Sequence, residues 1–286
     1  MKASKIIRLM SVVFAAACLL VPAAGMAKNA TIDILICYPG GSVRAKDAKP
    51  AMDSMIGVIE SIGGWSKGTI ATHFTAKMKE CRKLLQDKKP EFAILSLGLY
   101  LENYKKYNLA PLTQPKINNS TTDTYRLLVR KGTFKSLEDL KGKTIGGQLL
   151  SEIDFLKRIV FKSKIDPETF FKLKPSRRAL RSLRKLSKGK IDAVIVNQQQ
   201  YGGLSSLPFA DKLEVVFTSE KLPQMGVVVN QKKTSKEDRQ RLLKALSSMC
   251  THNKGKKLCE LFGIDAFIPS EIKTFKQVIT LWNAGK

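Results

Sequence analysis

The chain has 286 residues, of which 43% are apolar, 50 are basic and 24 acidic, giving a formal net charge of +26 with only two histidines. That length and apolar content exclude a disordered or fibrous chain and suffice for one large domain or two lobes. The charge favours anionic partners, whether small oxyanions, anionic lipid or nucleic acid, without choosing among them.

Met1 to Arg8 carries Lys2, Lys5 and Arg8 and no acid, Leu9 to Ala24 is almost wholly apolar, and Gly25-Met26-Ala27 places small residues where a signal peptidase reads. Residues 1–27 therefore read as a cleaved secretory signal peptide. The apolar run is short for a membrane span of about 20 residues, and Cys18 lacks the leucine expected before a lipoprotein cysteine. No later run is long and apolar enough to span a membrane, so the remaining chain is expected to be exported and soluble. It keeps a charge of +26 less three, or +23. Export argues against nucleic acid as a partner. Cys37, Cys81, Cys250 and Cys259 form an even set, which in an exported protein predicts two disulfides. Of the three possible pairings, Cys250 with Cys259 is favoured by their nearness across a polar loop, leaving Cys37 with Cys81.

The remaining chain alternates short apolar strands with amphipathic helices. Ile32–Cys37 reads as a buried strand, Ala51–Gly64 as a helix ending at glycine, Thr69–Phe74 as a second strand, and "TAKMKECRKLLQDKKP" as a helix with Met78, Cys81, Leu84 and Leu85 on one side. Phe92–Leu97 reads as a third strand. From Pro111 to Asp123 the pattern breaks into a polar, turn-rich stretch. A second α/β series then begins with the strand Tyr125–Gly132, continues through "KTIGG", a helix from about Glu152, the helix "SRRALRSLRKLSKG" and the strand "IDAVIVN", and closes with two strands around a proline turn in Lys212–Asn230. From Ser235 the chain is helical. Two such series predict two α/β lobes with a cleft between them. The lobes are 28–124 and 125–224, with 225–286 returning to the first, and "YRLLVRKG" and "MGVVVN" serve as hinge crossings. His73 and His252 accompany no nucleophile motif, and no G-x-S-x-G, Walker A or H-E-x-x-H occurs. Neither catalysis, a cofactor nor a metal site is expected.

Five stretches, in order, resemble the phosphonate/phosphite-type solute-binding proteins of ABC importers, within the type II periplasmic-binding-protein fold. They are "LLQDKKPEFAILSLGLYLE", "YRLLVRKGTFKSLEDLKGKTI", "LSKGKIDAVIVN", "VVFTSEKLPQMGVVVN" and "GKKLCELFGIDAFIP". The resemblance implies a two-lobe periplasmic receptor, monomeric apart from its membrane permease, that closes on a small ligand of phosphonate or other oxyanion type. The alternative is a sensory receptor that signals to a membrane kinase.

The resemblance also nominates site residues. Tyr100 matches a family tyrosine, and Gln148 and Ser151 lie in "GGQLLSEID", where the family has a Ser/Thr-rich phosphonate loop. That Ser/Thr cluster is missing here. Ser151 and Asp154 have capping-box spacing, and Glu152 and Asp154 are expected in the first turn, where their charge repels a phosphonate. Simple 2-aminoethylphosphonate is therefore disfavoured. Arg177 replaces a family Ser-His and offers a forked donor for an oxyanion. Arg181 and Arg184 read as the wet face of a helix whose dry face is Leu180, Leu183 and Leu186. Asn197 stands where the family has an acid. Tyr38, Ser96 and Tyr125, at strand ends, complete the candidate set.

Overall fold

The computed structural model describes residues 31–37 and 45–285. The expected signal peptide and Tyr38 lie outside the described residues. In chain order the strands are β1 (Ile32–Cys37), β2 (Ile70–Thr75), β3 (Phe92–Ile94), β4 (Leu109–Lys116), β5 (Thr122–Asp123), β6 (Arg126–Arg130), β7 (Thr144–Gly147), β8 (Lys172–Pro175), β9 (Ala193–Val196), β10 (Leu213–Thr218), β11 (Leu222–Pro223), β12 (Val227–Asn230) and β13 (Ala266–Pro269). The α-helices are α1 (Ala45–Gly63), α2 (Met78–Lys88), α3 (Leu97–Asn103), α4 (Ile153–Phe155), α5 (Pro167–Phe170), α6 (Ala179–Ser187), α7 (Gln198–Gly202), α8 (Lys236–Met249), α9 (Asn253–Phe262) and α10 (Lys276–Ala284).

Two sheets carry the fold. The first has strand order β13-β4-β12-β3-β1-β2 and the second β10-β6-β9-β7-β8. In the first, β1 runs parallel to β2 and β3, while β12 is antiparallel to β3 and β4. Strands β9 and β12 are buried along their whole length, as expected for apolar strands covered on both faces. One face of the first sheet packs α1 and α8 through Met52, Ile56, Ile59, Leu242, Leu246 and Met249. The other face belongs to a core that runs from Leu35, Leu85 and Tyr100 through to Tyr125, Ile145 and Phe155 of the second series. The two-lobe α/β architecture is the one expected.

The crossings lie a few residues earlier than expected. "YRLLVRKG" is β6, inside the second sheet, and "MGVVVN" is β12, inside the first. The chain passes between the sheets at a two-stranded ribbon, in which β5 pairs antiparallel with β11. Gln224 ties this ribbon, its N–H donating to the Thr121 carbonyl at 2.8 Å and its Nε2 to the Thr122 carbonyl at 3.1 Å.

Two other stretches depart from the pattern reading. Part of Pro111–Asp123, expected to be irregular, is β4, which lies between β12 and β13 despite Pro111 and Pro115. Proline has no N–H to give a ladder, and the pairing with β12 shifts register between Val227 and Val228. The expected helix from about Glu152 is only the single turn α4, which widens into a π-helical turn over Leu156–Val160. Apolar periodicity does not distinguish such a turn from a regular helix.

Cys250 and Cys259 form a disulfide between the end of α8 and α9. Gly255 lets this helix pair close up, since a Cβ there would lie 2.1 Å from the Met249 carbonyl oxygen. The expected Cys37–Cys81 disulfide is not present: both are buried free thiols. The neighbouring Cys81 thiol, together with burial, pushes the Cys37 thiol up. Cys81 Sγ also faces the Thr75 carbonyl at 3.9 Å. Alkylation after denaturation without reductant should therefore label Cys37 and Cys81 and leave Cys250 and Cys259 unlabelled. Reducing the Cys250–Cys259 bridge should cost about 2–3 kcal/mol by chain entropy, read as a lower Tm. Recovery of four labelled cysteines without reductant would contradict the bridge.

Candidate ligand-binding site

A cavity of about 270 Å³ opens between the two sheets. From the first sheet its wall is Cys37, which ends β1, and residues Ile94 to Gly98, where β3 gives way to α3. Ser96 makes that turn: its Oγ accepts the Leu99 N–H at 3.2 Å and caps α3. The opposing wall comes from segments around β6, β7 and β9 that carry Tyr125, Gln148, Glu152, Asn197 and Gln200. Ends of strands in open α/β sheets are where ligands sit.

The loop after β9 is held by its own side chains. Asn197 Oδ1 accepts the Gln200 N–H at 2.9 Å and Gln200 Oε1 accepts the Asn197 N–H at 3.3 Å, a reciprocal cap on α7. Gln200 Nε2 in turn donates to Gln148 Oε1, and Gln148 Nε2 donates to the Arg177 carbonyl at 2.8 Å. A row of carboxamides therefore crosses one side of the cavity.

Two carboxyl groups face the same space. Glu152 is only 8% exposed, and its Oε2 accepts a hydrogen bond from Ser96 Oγ at 2.7 Å, joining the two walls. Burial pushes its pKa up to about 7, against partial relief from the Ser96 hydroxyl, the Leu99 N–H and Arg82. Gly98 makes room for it, since a Cβ there would lie 2.2 Å from Glu152 Oε2 and 2.9 Å from Phe155 Cβ. Asp123 is also pushed up by burial, although the N–H groups of Thr124 (2.8 Å) and Gln198 (2.9 Å) donate to it. Burial, then the nearby Asp123 carboxylate, pushes the Tyr125 phenol well up. Its ring packs edge-on against Phe155 with centroids 5.4 Å apart.

No lysine or arginine lines this cavity among the described residues. Cations stand at its edge. A neighbouring cavity of about 320 Å³ shares Ile117, Asp123, Asn197 and Gln224 and adds Arg126 and Lys221. Arg126 lies over the Tyr201 ring at 4.3 Å and donates to Gln198 Oε1 at 2.7 Å.

Of the nominated residues, Ser96, Tyr125, Gln148 and Asn197 line the cavity. Tyr100 does not. Because Ser96 starts a helix, Tyr100 falls one turn deeper and is wholly buried, its ring beside Tyr104 and Phe275. Ser151 is turned away, its Oγ donating to the Gln148 carbonyl at 3.0 Å, and α4 has no side-chain cap. The expected capping box is absent, and Asp154 is an exposed neighbour of Arg158 at 3.7 Å. Arg177 is exposed in a separate cavity on the second sheet's side. His73 contacts Asp33 on the adjacent strand at 2.9 Å. Sequence reasoning missed Asp123, Gln200 and Gln224, and placed Glu152 in the first turn of a helix, with its charge against an incoming phosphonate. The available signal for Glu152 was Gly98, a helix glycine that admits a large neighbour.

The model of the family described as "ABC transporter, phosphonate, periplasmic substrate-binding protein" matches residues 57–275. No curated protein sequence matches the chain. Among solved structures, a binding-protein component of an ABC phosphonate transporter from Pseudomonas aeruginosa superposes with a TM-score of 0.69 at 16% identity, covering 88% of this chain and 85% of that one. A Prochlorococcus marinus protein in complex with methylphosphonate gives 0.67 at 12% identity, covering 90% and 98%. A Xanthomonas citri protein bound to ATP gives 0.66 at 14% identity, covering 88% and 96%. These likenesses show a shared fold. The family match, spanning most of the chain over a two-lobe fold with a cavity between the sheets, places this protein among the periplasmic substrate-binding proteins of phosphonate ABC transporters.

Proposed function

We propose that the cavity takes a small solute bearing a phosphonate or related oxyanion group, and that the lobes close on it before delivery to an ABC permease. The carrying observation is the wall itself: hydroxyl and carboxamide groups from both sides converge on one space, with Arg126 and Lys221 at its edge. Neutral donors fix the orientation of an oxyanion, and a strongly basic exterior steers it inward. Closure is a hinge motion about the β5–β11 ribbon. In this reading residues 1–27 are removed on export, 28–124 and 225–286 make one lobe and 125–224 the other, and the protein acts as a monomer that releases its ligand unchanged.

A second reading draws on Asp123 and Glu152, two carboxyl groups in one cavity. They favour a solute that also carries an ammonium group. One thermal-shift panel separates the two: methylphosphonate, phosphate, phosphite, a sulfonate, a carboxylate, 2-aminoethylphosphonate and a simple amine. A ligand at 100 times its Kd adds about 2.7 kcal/mol, or several degrees at roughly 2–4 °C per kcal/mol for a chain of this size. The first reading expects methylphosphonate or another plain oxyanion to give the largest shift. A larger shift with the aminophosphonate establishes the second, and a response to the amine alone sinks the first.

A further inference from the structure

The basic segment "SRRALRSLRKLSKGK" takes no part in the cavity between the sheets. It borders a separate concavity of about 670 Å³ between the end of β8 and α6. Lys174, Arg177, Arg178, Arg181 and Lys185 line it, with no acidic residue among the lining side chains. None of the five makes an ion pair among the described residues. Asp192, the first acid that follows them in sequence, instead accepts the Thr144 N–H at 2.8 Å.

Two further features point the same way. The first turn of α6 has neither an acidic residue nor a side-chain cap, and Arg178 occupies its N-cap. Cations at a helix N-terminus oppose the helix dipole, whereas an anion there satisfies both the dipole and the free N–H groups. Ser182 lines the same concavity, is 2% exposed, and its hydroxyl has no hydrogen-bond partner among the described residues. That hydroxyl is therefore free to donate to a group held in the concavity. The loop carrying the arginines is anchored, since the Ser176 N–H donates to the Gly147 carbonyl at 3.1 Å and the Arg177 carbonyl accepts from Gln148. Leu180, expected on the dry face of α6, is 41% exposed. The helix therefore turns more of its surface outward than its pattern implies.

We propose that this concavity is a second binding site, distinct from the cavity between the sheets, for a phosphate group, either free or carried on a lipid headgroup. Arg177 and Arg181 supply forked donors, Lys174 and Lys185 add charge, and Ser182 and the start of α6 supply neutral donors.

The test uses the exported protein with inorganic pyrophosphate as the probe, followed by amide NMR. Saturable shifts are expected at Ala179 to Ser182. The double variant Arg177→Ala/Arg181→Ala should weaken them at least about tenfold, whereas Arg184→Ala, a single charge removed outside the concavity, should weaken them by no more than about twofold. Flotation with vesicles of phosphatidylglycerol against phosphatidylcholine separates the sources. Pyrophosphate-competed flotation with the anionic vesicles, lost in the double variant, identifies a headgroup. Saturable pyrophosphate binding without flotation identifies a free phosphate compound. Equal losses in Arg184→Ala and the double variant would mean diffuse attraction to a basic face and overturn the site. So would the absence of both saturable shifts up to about 10 mM pyrophosphate and flotation.

Discussion

Affinity for an oxyanion is expected to fall about tenfold between about pH 6 and about pH 8, and Glu152→Gln is expected to remove that fall. Glu152 is buried in the proposed site, with a pKa pushed up to about 7. Protonated, it presents a neutral O–H that can donate to an oxyanion; ionised, it places a like charge against one. The other titratable groups around it or facing the same cavity are Cys37, Glu102, Asp123, Tyr125 and Arg82. Glu102 raises its pKa and Arg82 lowers it, with burial the larger influence. Binding an anion must then be accompanied by proton retention on Glu152, so affinity follows its protonated fraction. The ligand's own ionisation is common to both proteins, and the difference between them belongs to Glu152. The ligand-free protein gives a second readout. An acid whose pKa is higher folded than unfolded binds more protons in the native state, so stability falls as pH rises through the interval from its ordinary 4.5 to about 7. The loss is roughly 3 kcal/mol in total. Glu152→Gln should flatten that part of the stability profile. Identical pH profiles for variant and wild type would remove Glu152 from the binding chemistry.

This residue also shows where sequence reading reached its limit. The alternation of apolar strands and amphipathic helices carried the two-lobe fold, because buried strands such as "VVVN" and helix faces such as Leu242, Leu246 and Met249 each write their burial locally. Ser96 and Tyr125 followed from strand ends, which point at the cleft whatever the ligand, and Gln148 and Asn197 from positions that the family resemblance supplied. The conformation of "GGQLLSEID" did not follow. Capping-box spacing in Ser151–Asp154 is a local pattern, whereas Glu152 is buried by contacts with Ser96 and Gly98, more than fifty positions earlier in the chain. Arg177 lies outside the cavity for a related reason: its carbonyl is held by Gln148 while its side chain lines another surface. A residue's place along the chain predicts which element carries it, but not which side of the backbone faces the site.

Gly226→Ala is expected to lower Tm by about 6–12 °C, the second large effect. Gly226 precedes β12, where the chain has just left the β5–β11 ribbon and joins the first sheet. A Cβ there would lie 2.4 Å from the Thr113 carbonyl oxygen, 2.9 Å from Pro115 Cδ and 3.1 Å from Gln114 Cα. Two of these neighbours are backbone and the third is a proline ring, so no rotamer change relieves the contact; β4 and β12 must separate. Overpacking of this kind costs about 3 kcal/mol, at roughly 2–4 °C per kcal/mol. The sheet contact also sets the cavity, because Gln224 and Met225 line it immediately before Gly226. The variant should therefore lose ligand-induced thermal stabilisation as well as Tm. Gly57→Ala is the matched control: Gly57 lies within α1, and a Cβ there would meet nothing within 4 Å. Replacing a helix-interior glycine by alanine stabilises by roughly 0.5–1 kcal/mol. Equal melting temperatures for the two variants would show that β4 and β12 tolerate a methyl group between them, and that the hinge end of the first sheet is looser than this close approach implies.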